Sequence, residues 1–192
     1  VCNGQKAGFN GELVSNPLAG NLLEFEGGVA HNVIPDRATC LVKGDISKLS
    51  ERQGITLEEE NGAVRIRGWG KSGHAAMPAG TVNAIGLNAL LKVLQKLHHA
   101  TDGSGVGIAA KDEAFDPLTI IGGMITIRDG RIRQDVDSRY PTSITGEEIA
   151  RRLGEALGGT GVVEDARWNK PFYISADDAA IQALVDTYNE VT

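Results

Sequence analysis

Three side chains in this sequence, His74, Asn32 and Arg139, are of types that could bind or stabilise a negatively charged group. An imidazole can donate a hydrogen bond to an oxygen that gains negative charge in a reaction, and removing such a donor costs roughly 10²–10³-fold in rate. A side-chain amide can donate to a carbonyl or a carboxylate. A planar guanidinium can bind a carboxylate through two parallel hydrogen bonds.

Each of these residues also has a purely structural interpretation. His74 could be an exposed loop histidine, Asn32 could bond to its own backbone beside a Pro-containing turn, and Arg139 could form a surface ion pair at a strand end. The glycines Gly70 and Gly73 permit close backbone approach and unusual dihedral angles around His74, which favours a functional role for it.

Two weaker candidates accompany them. Asn83 stands where a helix begins and is expected to cap or position that helix. The pair Gly122-Gly123 could bring backbone amides near a ligand, although glycines within a strand more often mark a bulge.

Strands with one buried and one exposed face are expected along much of the chain. Two strand pairs flank Asn61-Gly62 and Asp129-Gly130, which are favoured in tight hairpin turns. The expected strands cover residues 22–26, 37–43, 55–59, 63–67, 118–128, 131–140 and 162–166.

Helices are expected where apolar residues repeat at three- and four-residue steps. The longest covers residues 82–98, with a leucine stripe that indicates core packing. A capping box of Thr145 and Glu148 begins another, which ends at Gly158-Gly159. The remaining two are a short helix from Asp45 or Ser47 to Gly54, and a final helix from Ser175 and Asp178 that buries Ile181, Leu184, Val185 and Tyr188.

These elements predict an α+β fold, with antiparallel sheet and helices packed on one face. The order hairpin, helix, hairpin, helix suggests two similar subdomains. We expect residues 1–21 to form a loop or an edge strand, residues 22–110 a first subdomain and residues 111–192 a second.

Composition narrows the class of protein. The net charge is −6 with scattered Lys and Arg, which argues against nucleic acid or an anionic membrane as a partner, and no apolar run approaches bilayer length. Cys2 and Cys40 have neither metal-ligand nor disulfide-framework spacing, so a cytoplasmic protein with Cys40 in its core is expected. The chain starts without Met and ends inside a helical pattern, which suggests a piece of a longer protein.

Three segments of the sequence stand out together: residues 27–38 (GGVAHNVIPDRA), residues 70–78 (GKSGHAAMP, followed by Asn83-Ala84) and residues 135–141 (DVDSRYP). In this order they resemble the lid of the zinc aminoacylase and dipeptidase superfamily, closest to its bacterial dipeptidase V branch. In the third segment, Asp137-Ser138 replaces the single hydrophobic residue usual before the arginine. Residues 171–174, PFYI, are similar to the stretch where such chains return to their catalytic domain.

The resemblance implies roles for the three candidates. His74 would stabilise the oxyanion of a peptide under hydrolysis, Asn32 would bind the substrate, and Arg139 would hold its C-terminal carboxylate. His31 lies outside the family pattern and is expected to be exposed to solvent. The implied partners are a dipeptide or short peptide and the chain's own catalytic domain. Exposed strand edges separately suggest a second copy of the chain as a partner.

The resemblance also implies two zinc ions, held in a catalytic domain that this chain does not include. None of the four histidines begins the His-x-Asp ligand motif of the family, and Glu147-Glu148 opens a capped helix. The chain alone is therefore expected to bind no metal and to be inactive. Two alternatives stay open: the lid of a related N-acyl amino acid or diamine amidohydrolase, and a non-catalytic dimerisation module. Convergence of His74 and Arg139 on one concave face would favour the enzyme.

Overall fold

Alternating apolar and polar residues build a large antiparallel sheet in the computed structural model, which describes residues 3–18, 20–44, 51, 53–85 and 92–191. The strands are β1 Gly4–Gln5, β2 Ala7–Ser15, β3 Leu22–Gly27, β4 Val33–Ile34, β5 Arg37–Lys43, β6 Ile55–Glu60, β7 Ala63–Trp69, β8 Gly73–His74, β9 Thr119–Ile121, β10 Ile125–Arg128, β11 Arg131–Tyr140, β12 Gly161–Trp168 and β13 Phe172–Tyr173. The helices are α1 Lys92–His99, α2 Gly146–Leu157 and α3 Ala179–Val191, with a 3₁₀ turn at Ser104–Val106.

The main sheet has the order β12-β2-β11-β10-β3-β5-β7-β6, and β9 also pairs with β11. Its two halves join where Ile125 of β10 pairs with Gly27 of β3. Two short ribbons, β1 with β13 and β4 with β8, complete the described strands. One sheet runs through both of the predicted subdomains. Their division at residue 110 stays a prediction.

The core lies on one face of this sheet, where α1 and α2 pack. Leu94 and Leu97 of α1 and Leu153 of α2 join the same buried cluster as Phe9 and Phe25 from the strands. The α+β prediction, with antiparallel strands and helices packed against the sheet, is confirmed.

Both predicted hairpin turns form, since their central residues adopt the positive φ that such turns require. Asn61 and Gly62 have φ of 51° and 78°, and Asp129 and Gly130 have φ of 52° and 68°. The cap of α2 is also confirmed, because Thr145 accepts a hydrogen bond from the Glu148 amide at 3.2 Å.

The expectation of a loop or edge strand in residues 1–21 does not hold for Ala7–Ser15. Strand β2 lies inside the sheet, between β11 and β12, and Phe9 and Val14 are fully buried. Glycines and Asn10 mask the alternation that residues 7–14 do carry. The strand is stabilised by pairing with residues more than 100 positions away rather than by its own propensity.

Two further expectations need correction. The predicted strand at residues 118–128 is split into β9 and β10, because Gly122 and Gly123 leave the ladder. The last helix forms at Ala179–Val191 but buries only Ile181, whereas Leu184 and Tyr188 are 55% and 63% exposed. Few described residues pack against this helix, so its apolar stripe faces outward.

Some predictions fall outside the described residues: the helix beginning at Asp45 or Ser47, the stripe residues Leu87, Leu90 and Leu91, and Cys2. Cys40 is buried without a disulfide, as expected, and burial raises the pKa of its thiol to about 11.

Candidate functional site

His74 lies on the two-stranded ribbon formed by β4 and β8, where it pairs with Val33. The Ala75 amide donates to the Asn32 carbonyl at 3.0 Å and extends this pairing. Ile34 and Ala75 form a small buried cluster with Ile121 of β9, outside the main core. That cluster fixes the ribbon against the sheet and thereby sets the position of the His74 side chain.

The sequence around His74 suits this tight geometry. A Cβ at Gly73 would lie 2.5 Å from the Thr81 Cγ2 atom, so a larger residue there would have to displace the Thr81 side chain. The Ser72 hydroxyl donates to the Ile34 carbonyl at 2.9 Å, and the Met77 amide donates to the His74 carbonyl at 3.0 Å. These contacts hold the backbone on both sides of an exposed imidazole.

The imidazole of His74 has a defined hydrogen-bond role. Its Nδ1 accepts a hydrogen bond from the Ala76 amide at 3.1 Å. In the neutral ring the proton therefore resides on Nε2, because the ring nitrogen that accepts cannot also carry the hydrogen. Nε2 can donate to an oxyanion.

Arg139 lies near the end of β11, opposite Gly8 of β2 and Thr119 of β9. A Cβ at Gly8 would lie 3.0 Å from the Arg139 Nη1 atom, so the glycine leaves room for the guanidinium. The Arg139 Nε is 3.7 Å from the Asp137 Oδ1, and Asp137 is 2% exposed. The ion pair is thus made with a buried carboxylate, whereas the Arg139 side chain stays 40% exposed.

His74 and Arg139 line the same concave surface, although 64 residues separate them in the sequence. This surface, which we call the His74 cleft, has a volume of about 370 Å³ and opens to solvent. Its lining residues are Gln5, Lys6, His74, Ala76, Thr119 and Arg139. A larger hollow of about 490 Å³ beside Trp69 contains none of the three predicted site residues.

Asn32 does not line the His74 cleft. It lies half-buried in the turn before β4, where its carbonyl holds Ala75 in the ribbon. His31 beside it is exposed, as expected. The structure thus brings two of the three predicted site residues together and places the third in the adjoining turn, outside the cleft.

The Gly122-Gly123 break lies against this turn. A Cβ on Gly28 would overlap the Gly123 carbonyl, and one on Gly123 would overlap the His31 carbonyl. The Gly123 amide donates to the Asp135 Oδ1 at 2.9 Å, and the Met124 amide donates to the same oxygen. The Gly123 amide is therefore engaged by Asp135, and the bulge interpretation of the glycines is the better one.

Asp135 was not singled out by sequence reasoning. Burial raises the pKa of its carboxyl, while the two backbone hydrogen bonds oppose that shift. A charged residue in an outward position of β11 gave no signal of this role, because the turn that it holds comes from another part of the chain.

Asn83 has the structural role that its position predicts. Its Oδ1 accepts from the Ile85 amide at 2.9 Å, the geometry of a helix cap, and its Nδ2 donates to the Gly122 carbonyl at 2.9 Å. The residue thus links a helix start to the Gly122-Gly123 break.

Sequence reasoning missed a pair formed by His98, which is half-buried, and Gln134, which is fully buried. The His98 Nε2 lies 3.2 Å from the Gln134 Oε1, and the Gln134 Nε2 donates to the carbonyls of Met124 and Asp135 at 2.7 and 2.9 Å. Burial lowers the pKa of His98 to about 4. A signal was available, since Gln134 occupies an inward position of β11 between Ile132 and Val136.

Among the described residues, no three His, Cys, Asp or Glu side chains are grouped so that they could hold a metal ion. Glu148 forms ion pairs with Arg151 and Arg152 at 2.7 Å each. Hydrogen bonds from these arginines lower the pKa of its carboxyl to about 2. Its role is in α2.

Comparison with protein-family models and with curated proteins finds no match to this chain. Within the described part of the chain, no helix is both long enough and apolar enough to cross a membrane.

Proposed function

We propose that this chain is the substrate-binding lid of a dinuclear zinc dipeptidase, in which His74 and Arg139 act on one substrate. The observation that carries the proposal is their meeting in the His74 cleft. A cationic side chain and a hydrogen-bond donor on one concave surface fit an anionic end and a developing oxyanion of the same short peptide.

In this proposal the chain's own residues bind and orient the substrate. The Nε2 of His74 donates to the oxygen of the scissile carbonyl as that oxygen gains negative charge. The exposed part of the Arg139 guanidinium binds the C-terminal carboxylate, while Asp137 holds its Nε side. Asn32 acts indirectly, because its backbone carbonyl holds Ala75 in the ribbon that carries His74. Two zinc ions in the catalytic domain would supply a hydroxide and polarise the carbonyl.

The catalytic domain itself is the proposed partner of the exposed apolar surface near the end of the chain. Phe172 and Tyr173 of β13 are each about half exposed, and Leu184 and Tyr188 of α3 are more so. A cytoplasmic site of action belongs to the same proposal, as do the expectations that neither nucleic acid nor membrane is a partner.

The proposal is tested with the full-length protein that contains this chain, purified with zinc and assayed on dipeptides. We expect His74→Ala to lower kcat by 10²–10³-fold with metal content unchanged, because it removes one oxyanion donor. His99→Ala, which removes an exposed histidine outside the cleft, is the matched control and should keep full activity. Normal turnover in His74→Ala would contradict the oxyanion role.

The same assay separates the alternative substrates. A related amidohydrolase would act on N-acyl amino acids or acylated diamines and leave dipeptides intact. Both alternatives can carry a carboxylate, N-acyl amino acids at the C-terminus and succinylated diamines on the acyl group, so the substrate that is hydrolysed, and not dependence on Arg139, distinguishes them from dipeptides. A preference for them would overturn the dipeptide assignment while keeping the lid role.

A homodimer through sheet edges is a second candidate, favoured by one observation. Strands β6 and β12 end the main sheet of the described residues, and Val162 on β12 is 51% exposed. An end strand offers unpaired backbone groups to a second copy. Light scattering of the chain at micromolar concentration should give twice the monomer mass if this pairing forms, and the monomer mass otherwise.

A further inference from the structure

Lys6 is a third basic residue in the His74 cleft, and nothing in its sequence context singles it out. It lies between β1 and β2, where Ala7 is fully buried. Since side chains alternate along an extended chain, Lys6 and Gly8 share the face opposite to Ala7. Gly8 pairs directly with Arg139, so Lys6 is a diagonal neighbour of Arg139, within reach of its long side chain.

A backbone contact tethers the Lys6 side chain at this place. Its Nζ donates to the Pro117 carbonyl at 2.8 Å. Pro117 lies two residues before Thr119, which lines the cleft and pairs with Arg139. An ammonium group has three N–H donors, so one bond to Pro117 leaves two for a ligand.

The lining of the cleft favours an anion as that ligand, although two carboxylates, Asp116 and Asp112, act on Lys6 from outside the cleft. Burial lowers the pKa of Lys6, whereas Asp116 and Asp112 oppose this shift. The Asp112 carboxylate already accepts hydrogen bonds from the Thr142 amide and hydroxyl at 2.7 Å each. Among the described residues that line the cleft, none is acidic, so a carboxylate would meet two cations and the His74 donor there.

We propose that Lys6 and Arg139 together bind the terminal carboxylate of the substrate, and that Lys6 makes a free C-terminus a requirement. The inference rests on the proposed function. It adds Lys6 to the binding residues and assigns a direction to the bound peptide. The basic cleft attracts the carboxylate end of a dipeptide and repels its amino end, which fixes the direction in which the peptide lies beneath His74.

The test uses this chain and a pair of probes that differ only at the C-terminus, N-acetyl-dialanine and its C-terminal amide. Amide chemical shifts in NMR titrations locate binding and give dissociation constants. We expect the acid to shift cleft residues and to bind at least tenfold more tightly than the amide. Lys6→Gln, which keeps a donor for Pro117 but removes the charge, should weaken binding of the acid about tenfold and leave the amide unaffected.

Two further variants sharpen the result. Lys43→Gln removes an exposed lysine outside the cleft and should bind the acid as the parent chain does. Lys6→Arg keeps the charge and should retain most of the affinity, and it keeps the test decisive if Lys6→Gln gives a poorly dispersed spectrum. Equal binding of acid and amide, no shifts at the cleft, or loss of affinity in Lys6→Arg equal to that in Lys6→Gln would each overturn the inference.

The outcome is distinct from that of the proposed function. If the full-length protein hydrolyses dipeptides and needs His74, but Lys6→Gln binds the acid normally, only the role of Lys6 is wrong. If the acid binds through Lys6 but the full-length protein has no peptidase activity, the cleft is a carboxylate site of another activity.

Discussion

At the scale of single residues, packing separates side chains that the sequence makes look alike. His98 and His99 are adjacent, yet His99 is exposed, whereas His98 is half-buried and bonds to Gln134 of β11. His74 is exposed too, but its Nδ1 is occupied by the Ala76 amide, which assigns the donor role to Nε2. His74 and His98 therefore differ from the exposed His99 for reasons that lie in their surroundings.

The buried imidazole of His98 should make the protein less stable in mild acid. Its pKa is about 4 in the folded chain and 6.5 without burial. As the pH falls through 6.5, the unfolded chain takes up the proton first, so stability decreases until the pH nears 4. Linkage gives a loss of about 2 kcal/mol between pH 7 and pH 5, measurable by urea unfolding at both values.

Substitution assigns this pH dependence to one residue. His98→Gln removes the titrating group and should flatten the stability profile between pH 7 and pH 5, whatever its effect on stability at pH 7. His99→Gln should leave the profile as it is. A His98→Gln profile as steep as that of the parent chain would assign the acid sensitivity to other groups.

At the scale of elements, the site depends on turns that pack against each other. Gly28 and the Gly122-Gly123 break meet backbone to backbone, and Asp135 holds the break from β11. Asn83 joins the same break to the start of a helix. The turn packed against this break continues through Asn32 into β4, and β4 pairs with the strand that carries His74.

Replacing Gly28 should destabilise the protein through steric overlap in addition to backbone strain. Gly28 and Gly62 have nearly the same φ, 82° and 78°, but a Cβ at Gly62 meets nothing within 4 Å, whereas one at Gly28 overlaps Gly123. Gly62→Ala should cost about 1–2 kcal/mol from the left-handed backbone alone. Gly28→Ala should cost at least about 2 kcal/mol more, since the turn must move.

Urea unfolding of the two variants at pH 7 gives the comparison. Equal costs would mean that the turn at Gly28 moves away from Gly123 without loss, and the stacked turns would then not fix the ribbon. Amide spectra of Gly28→Ala should show the largest shifts at β4 and β8.

At the scale of the whole molecule, distant segments complete the sheet. Strand β2 joins β11 to β12 and supplies Phe9, whose ring stacks on Trp168 at a centroid distance of 6.1 Å. Lys6 and Gly8, beside Arg139, come with the same segment. The start of the chain is thus part of both the core and the cleft.

Removing residues 1–21 should therefore abolish folding, whereas removing α3 should not. The first deletion exposes the edges of β11 and β12 and the buried faces that Phe9 and Val14 cover. The second removes a helix with only Ile181 buried and should cost no more than about 3 kcal/mol. Circular dichroism and amide-proton dispersion distinguish the outcomes, and a well-folded chain without residues 1–21 would contradict the topology.

The sequence by itself determined the local structure. Asn61-Gly62 and Asp129-Gly130 require positive φ and so define two hairpins, and Thr145 with the apolar face of Ile149, Leu153 and Leu157 defines α2. These features depend on residues a few positions apart, whose dihedral preferences and periodicity are written in the sequence. The three segments that resemble the dipeptidase lid, together with the chemistry of the side chains, also indicated His74, Asn32 and Arg139 as candidates.

Only the tertiary structure decided which of these residues meet. It placed β2 inside the sheet and brought Lys6 and His74 to Arg139. It also left Asn32 outside the cleft and the apolar side of α3 exposed. Each outcome depends on the register and order of strands that are far apart in the chain. That register is selected by the burial of one continuous core, to which every strand contributes a small part. No local sequence pattern predicts it.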